Sequence, residues 1–314
     1  MGPLSRETAR SWPNVGGVRL VGPVLAASGT FGYGVDVPLL DRSRVGGIVS
    51  KGIFLRPRAG TPPNRIVETP SGMLNAIGLQ GPGIDALIRD YAPRWAAWPM
   101  PVLVNVNGET LDEYGEVAAR LDGVPGVSGV EVNISCPNVR EGGMLFGKDP
   151  AMAARVTQVV RAHTRLPLWV KLTPAVTDIS EIARAVESAG ADAISAVNTF
   201  VGMSIDLATG RPRLAFGTGG LSGPAIRPLA VQLAHTAASA VGIPVVGIGG
   251  IASGDDALEF LYAGCRAVQV GTATFVDGAA IAQVTTGIER HLTARGLESL
   301  DALPRLSSSL DVRR

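Results

Sequence analysis

Val130-Glu-Val-Asn-Ile-Ser-Cys-Pro-Asn138 is an apolar, β-branched run that stops at a proline one residue after a cysteine. Such a run reads as a parallel strand buried on both faces, and the proline closes it. Asn133 and Cys136 then stand at the strand's carboxyl end, where parallel α/β folds gather their chemistry. A thiol there can act as nucleophile or base, and a nearby amide can orient a polar ligand. The glycine-rich segment that follows, Val139 to Gly147, has the composition of a loop that folds over a substrate.

Seven more runs of the same kind recur along the chain: Val24–Ala27, Gly47–Ser50, Val102–Val106, Leu168–Leu172, Ala193–Val197, Val245–Ile248 and Ala267–Val270. Amphipathic stretches separate them, among them Leu111–Leu121, Ala151–Ala162, Ile179–Ser188, Ile226–Ala240 and Asp255–Tyr262. Strand and helix alternating eight times is the pattern of an α/β protein, a (β/α)8 TIM barrel forming a single domain over residues 1–314. A doubly wound open sheet is the alternative, and the regular eightfold alternation favours closure. Three connections after strand ends are long: Gly52–Gly83, Pro137–Pro150 and Thr199–Pro224. They carry Met73, Leu74, Ile77, Leu79, Met144, Leu145 and Phe146, so a packed lid over the C-terminal face is expected. Residues 1–22, chiefly Ser11–Val21, are expected to cap the opposite end.

The 314 residues are 46% hydrophobic and 18% charged with a net charge of +1, which implies a large core and gives no basic surface for nucleic acid. The most apolar region, Ala240–Ala252, is broken by Gly242, Pro244, Gly247, Gly249 and Gly250, so no membrane span is expected. The first ten residues carry Arg6, Glu7 and Arg10 rather than a signal peptide's apolar core. Two distant cysteines, Cys136 and Cys265, fit a reducing, cytoplasmic setting.

The strand ends offer Ser28, Lys51, Gly52, Asn105, Asn107, Asn133, Cys136, Lys171, Asn198, Thr199, the glycines of Gly247-Ile-Gly-Gly250, and Gly271-Thr272. The histidines, His163, His235 and His291, all fall in helical stretches, so no metal site is expected. A lone strand-end lysine is usually solvated; two on one face point to anion binding or electrostatic stabilisation. Asn75, Asn105, Asn133 and Asn198 on one face suit a ligand with alternating C=O and N–H edges, because an amide both donates and accepts. The glycines after strands seven and eight match the common barrel phosphate site, with Ser222-Gly223-Pro224 as a cap and helix start. Cys265 reads as a small buried residue at a helix end.

These residues resemble the class 1 dihydroorotate dehydrogenases, and within them the B subclass. The resemblance runs from Ala27-Ser-Gly-Thr-Phe-Gly32 to Val270-Gly-Thr-Ala-Thr-Phe275. Its most specific blocks are Ser71-Gly-Met-Leu-Asn-Ala-Ile-Gly-Leu-Gln80, Asn133-Ile-Ser-Cys-Pro-Asn138 and Gly219-Gly-Leu-Ser-Gly-Pro-Ala225. It implies an FMN-containing barrel that oxidises dihydroorotate to orotate in pyrimidine biosynthesis. It also implies Cys136 as catalytic base, and Lys51, Asn75, Ala76, Ile77, Gly78, Leu79, Asn133, Asn198 and Thr199 as substrate-binding residues. One non-covalent FMN per chain would be held by Ser28, Lys51, Gly52, Asn105, Asn133, Lys171, Val197, Gly223, Gly249, Gly250, Gly271 and Thr272. The B subclass further implies a homodimer joined by an electron-transfer subunit carrying FAD and a [2Fe–2S] cluster, a heterotetramer that reduces NAD⁺. The chain departs from the family at Gly52-Ile53, where Ala-Thr is common, and at Lys171-Leu-Thr-Pro-Ala175, where Lys-Leu-Ser-Pro-Asn is more usual.

Cys136 as thiolate would take the C5 proton while the flavin accepts the C6 hydride; a neighbouring Lys51 would favour the thiolate. Alternatives at this point are a fumarate-using homodimer of the A subclass, an FMN-dependent dihydropyrimidine dehydrogenase, a Schiff-base aldolase using Lys171, and a non-catalytic barrel.

Overall fold

Eight parallel strands close into a barrel: β1 Val24–Ala26, β2 Gly47–Val49, β3 Val102–Val106, β4 Gly129–Asn133, β5 Leu168–Lys171, β6 Ala193–Ala196, β7 Val245–Ile248 and β8 Ala267–Val270. The computed structural model describes residues 12–35, 42–134, 140–141 and 144–306. Neighbours in the barrel are neighbours in sequence, and β8 returns to β1 with Val268 opposite Val24 and Val270 opposite Ala26. Every residue of these strands is buried, because one face looks into the barrel and the other meets helices. That is why the strands read as unbroken apolar runs.

Alternation along each strand separates two environments. Val24, Ala26, Val102, Val104, Val130 and Val132 join the cluster formed with the helices. Leu25, Val49, Leu103, Trp169, Val246 and Ala267 form a second cluster with Val15, Val18 and Leu20 of the hairpin Asn14–Val15/Val18–Arg19. This is the amino-terminal end of the barrel interior, filled by side chains and plugged by the hairpin.

Four of the helices start where short polar side chains cap them. Thr110 accepts from the Glu113 N–H ahead of Leu111–Leu121, Asp149 from Met152 ahead of Pro150–His163, and Asp178 from Ser180 ahead of Ile179–Ser188. Ser253 and Asp256 form a reciprocal capping box at Gly254–Tyr262. Helices 84–95 and Ala280–Ala294 complete the outer ring. In the latter, Gly287 lies so close to Gly254 that a Cβ on it would sit 2.7 Å from the Gly254 Cα. Among the described residues, no helix is long and apolar enough to cross a membrane.

Two of the long connections are not separate loops. Ile66–Thr69 and Gly72–Asn75, from the β2 connection, pair with Gly219–Ser222 and Phe200–Gly202, from the β6 connection, in one antiparallel sheet. Asn75 lies opposite Gly220 and donates its side-chain N–H to the Gly220 carbonyl at 3.2 Å. Of the third connection, Pro137–Pro150, residues 137–139 and 142–143 lie outside the described residues, and Arg140–Glu141 pairs antiparallel with Met144–Leu145. Phe146 within it is buried, edge-on to Tyr114 with ring centroids 5.9 Å apart.

Candidate active site

The barrel's interior polarity begins one step above the apolar plug. Glu131, at the middle of β4 between the helix-facing Val130 and Val132, points inward and is fully buried. Its Oε1 accepts from the Asn105 side chain at 2.8 Å, and its Oε2 from the Ser195 hydroxyl at 2.6 Å and the Gln269 amide at 2.9 Å. The Lys171 ammonium stands 3.9 Å from Oε1. A chain of amides climbs from there: Asn107 donates to Asn105 at 3.0 Å, and Asn133 donates to Asn107 at 3.0 Å. A carboxylate can only accept, so it fixes which end of each amide donates. Tyr114 anchors the end of β4 by donating its hydroxyl to the Asn133 carbonyl at 2.8 Å.

Above this layer lies a cavity of about 410 Å³, a size typical of cofactor sites. Lys51, Gly52, Asn105, Asn133, Lys171, Val197 and Ser28 line one part of it, and Gly223, Gly249, Gly250, Gly271 and Thr272 line the glycine-rich part. At Gly250, with φ +75°, an added Cβ would lie 2.7–2.9 Å from Arg227 atoms, so backbone rather than side chain faces the cavity. Gly223 has φ +93°, a conformation that favours glycine, and it precedes Pro224 at the start of a short 3₁₀ turn leading into Arg227–Ala240. The Thr272 hydroxyl donates to Ser222 at 2.8 Å, tying the start of the segment after β8 to the small sheet.

A second cavity of about 270 Å³ adjoins the first. Asn75, Ile77, Leu79, Asn133, Asn198 and Thr199 line both, and Ala76, Gly78, Thr173 and Lys148 line only the second. The segment that carries Asn75–Leu79 is clamped by Arg65, whose Nη1 donates to Gln80 at 2.7 Å and whose Nη2 donates to the Ala59 carbonyl at 3.1 Å. Asn198 accepts from the Thr199 N–H at 2.7 Å in a tight local turn. Burial pulls the Lys51 ammonium below its ordinary pKa, and the positive charge of Arg65 pulls it further. Cys265 sits elsewhere, buried at a helix end, and burial pushes its thiol up to about 12. Among the described residues, no group of three or more His, Cys, Asp or Glu side chains could hold a metal ion.

The structure thus brings together, around two joined cavities, every residue picked out in the sequence as a cofactor or substrate ligand that it describes. Cys136 lies outside the described residues. The central part of Glu131, with Ser195, Gln269 and Asn107, was not read from sequence as a unit, and neither was the contribution of Met73 and Phe275 to the larger cavity. Part of the signal for the first existed: Asn105 and Asn107, like Glu131 and Asn133, stand two apart in sequence, so each pair shares one face of its strand, and the register of β3 on β4 joins the two pairs.

The departure at Gly52 has a local cause. A Cβ there would lie 2.5 Å from Asn107 Nδ2 and 2.9 Å from Asn105 Oδ1, the two atoms joined by the amide chain. Ile53 beside it is fully buried and bridges to Val106. At the second departure, the Thr173 hydroxyl accepts from the Ala175 N–H at 3.2 Å.

Comparison with known proteins agrees with this geometry. The family model described as dihydroorotate dehydrogenase matches residues 12–292. A protein of Geobacter sp. strain M21 named dihydroorotate dehydrogenase B (NAD(+)), catalytic subunit, is 53% identical over 290 residues, covering 92% of this chain and 95% of the relative. Proteins of the same name from Citrifermentans bemidjiense and Desulforudis audaxviator are 53% and 52% identical over 290 residues, covering 92% of this chain and 95% and 94% of the relatives.

Proposed function

The chain belongs to the dihydroorotate dehydrogenase family, and we propose that it is a catalytic subunit that oxidises (S)-dihydroorotate to orotate in pyrimidine biosynthesis with FMN as resident cofactor. The observation that carries this reading is the pair of adjoining cavities that share Asn75, Asn133 and Asn198. A ring cofactor and a ring substrate side by side need such a common wall, with amides that present donors and acceptors to both.

The residues fit FMN. Gly223, Gly249, Gly250 and Gly271 let backbone approach a phosphate closely, while Lys171 and Asn105 supply polar contacts at the barrel-interior end. FMN, when bound, supplies the acceptor for the hydride that leaves C6 of dihydroorotate. Cys136, three residues beyond Asn133 in the chain, takes the C5 proton onto its Sγ as general base. Lys51 holds the substrate's carboxylate, and Asn75, Asn133 and Asn198 hold the ring so that both bonds to hydrogen break in register. Segment Ala76–Leu79 packs along the substrate and limits water around it. In this reading the connections after β2 and β6 form a lid, the barrel dimerises, and electrons leave the FMN for a second subunit with FAD and a [2Fe–2S] cluster on the way to NAD⁺. The words "catalytic subunit" and "NAD(+)" in the relatives' names support that partner.

Heat denaturation of the purified protein should release FMN, one per chain; FAD or no flavin refutes the cofactor. Anaerobic dihydroorotate should bleach the bound flavin's absorbance. Bleaching by dihydrouracil and not dihydroorotate would assign the chain to other pyrimidines. The isolated chain should leave NAD⁺ unreduced, and rapid reduction of fumarate by it would refute the need for a partner.

A further inference from the structure

We propose that Glu131 is a positioning residue that holds Lys171 and Asn105 at the floor of the flavin cavity and sets the reduction potential of the bound FMN. The proposal rests on the reading of that cavity as the flavin site. Glu131 does not itself line the cavity, nor do Ser195 and Gln269, whereas Lys171 and Asn105 do. The carboxylate is therefore a hub one layer below the cavity, joined to side chains from β3, β5, β6 and β8.

A carboxylate with no solvent exposure is expensive unless it is hydrogen-bonded and paired, and well-packed apolar side chains would fill the same space at no such penalty. The surrounding groups are bent to its service. Gln269 turns its amide N–H towards Glu131 and Ser195 and leaves its own carbonyl oxygen without a hydrogen-bond partner among the described residues. Asn105 likewise gives its donor to Glu131 and its acceptor to Asn107. A purely structural core would not concentrate three donors and an ammonium on one carboxylate directly beneath the two cavity residues it touches.

The consequence is electrostatic. The Glu131 charge offsets that of Lys171, so the flavin experiences less positive charge from below than Lys171 alone would impose. In a weakly screened interior, neutralising one of these charges changes an equilibrium that creates negative charge nearby on the order of tenfold or more. Glu131→Gln keeps the shape and removes the charge. The reduced form of the flavin, which carries more negative charge, should then gain about tenfold over the oxidised form, a midpoint rise of about 30 mV for two electrons. FMN affinity should fall as well, because a neutral amide oxygen in place of the carboxylate Oε1 holds Lys171 and Asn105 less firmly.

The test is a dye-coupled redox titration of the FMN-loaded protein, with the dissociation constant of FMN measured on the flavin-stripped chain. Circular dichroism confirms the fold. An amide at position 131 meets the Ser195 hydroxyl as a second donor, so Glu131→Gln with Ser195→Ala gives a companion chain for the same titration if the single variant folds poorly. A midpoint that rises with weakened FMN binding supports the role. A folded variant with an unchanged or lowered midpoint overturns it. A wild-type chain that binds no FMN overturns the flavin reading instead, so the two failures are told apart before any variant is made.

Discussion

Gly52→Ala introduces the residue that the family resemblance leads one to expect at this position, and the structure makes it damaging here. The backbone of Gly52 is not in the left-handed region, so space alone is at issue. The added Cβ would stand 2.5 Å from Asn107 Nδ2 and 2.9 Å from Asn105 Oδ1. Neither amide can swing aside freely. Both are buried, they are hydrogen-bonded to each other at 3.0 Å, Asn107 accepts from Asn133, and Asn105 donates to Glu131. Overpacking of this kind costs about 1–3 kcal/mol. If the Asn105–Asn107 bond breaks, a buried donor and acceptor left unmade add roughly 1–3 kcal/mol. The expected loss is therefore about 1–3 kcal/mol with that bond kept and about 2–6 kcal/mol with it broken, read as a fall of several degrees in the thermal midpoint, with weakened FMN binding because Asn105 and Asn133 line the cavity. Gly242→Ala is the control: its Cβ would meet only Glu187 Oε1, at an ordinary 3.4 Å, and its midpoint should stay near wild type. In an Asn107→Ala background, which removes the closest atom, the methyl at 52 should do less harm, a coupling that a double-mutant cycle measures. Wild-type stability and FMN affinity in Gly52→Ala would refute the reasoning, since the amide chain would then have room to give.

Cys136→Ala should slow flavin reduction by dihydroorotate by roughly two to four orders of magnitude while orotate still binds, as loss of a general base predicts; near wild-type rates by stopped flow would remove Cys136 from that role. Lys51→Ala should weaken orotate binding and slow flavin reduction together, and unchanged values for both would return Lys51 to the solvated lysines. Because burial and then Arg65 hold the Lys51 ammonium below the usual 10.5, orotate affinity should decline with rising pH before an ordinary lysine would titrate, and Arg65→Gln should move that decline to higher pH. The sign for folding is opposite: between the lowered and the ordinary value the unfolded chain binds more protons, so the contribution of Lys51 to stability rises with pH there.

The strands were legible to within a residue at each end because a barrel strand is buried on both faces and leaves an uninterrupted apolar run. The helices Leu111–Leu121 and Ile179–Ser188 were legible from their amphipathic pattern, and the structure gives them the same bounds, with Thr110 and Asp178 capping their starts. What escaped has physical causes too. The antiparallel sheet of Ile66–Asn75 and Phe200–Ser222 pairs segments far apart in sequence and is laced with Gly72, Gly219 and Gly220, which carry no strand signal. Gly220 is needed because Thr199 packs where its Cβ would be. Helix Ala280–Ala294 hides behind Thr285, Thr286 and Gly287, residues of poor helix propensity; Gly287 serves a close approach to Gly254, and the two threonines hydrogen-bond Arg44. For the site, residue types at strand ends sufficed to nominate ligands one by one, but the network of Glu131 required register. Only pairing of β3 with β4, Asn105 opposite Glu131, shows that they face the same interior.

That register also explains why one end of the barrel holds it together and the other is free to do chemistry. Counting along β4 and β5, Glu131 lies opposite Trp169 and Asn133 opposite Lys171, so one step of two residues carries the interior from the apolar plug to the polar floor. Trp169 packs in one cluster with Leu103, Leu25 and Val18, and its Nε1 has no hydrogen-bond partner among the described residues, so truncating it should act on folding through the lost volume, a few kcal/mol for a large buried side chain. Glu131, one strand over at the same height, is where the two layers meet. A change there reaches Lys171, Asn105 and, through Asn107, Asn133, and it cannot alter the packing of the core without altering the charge and direction of the groups that face the cavity.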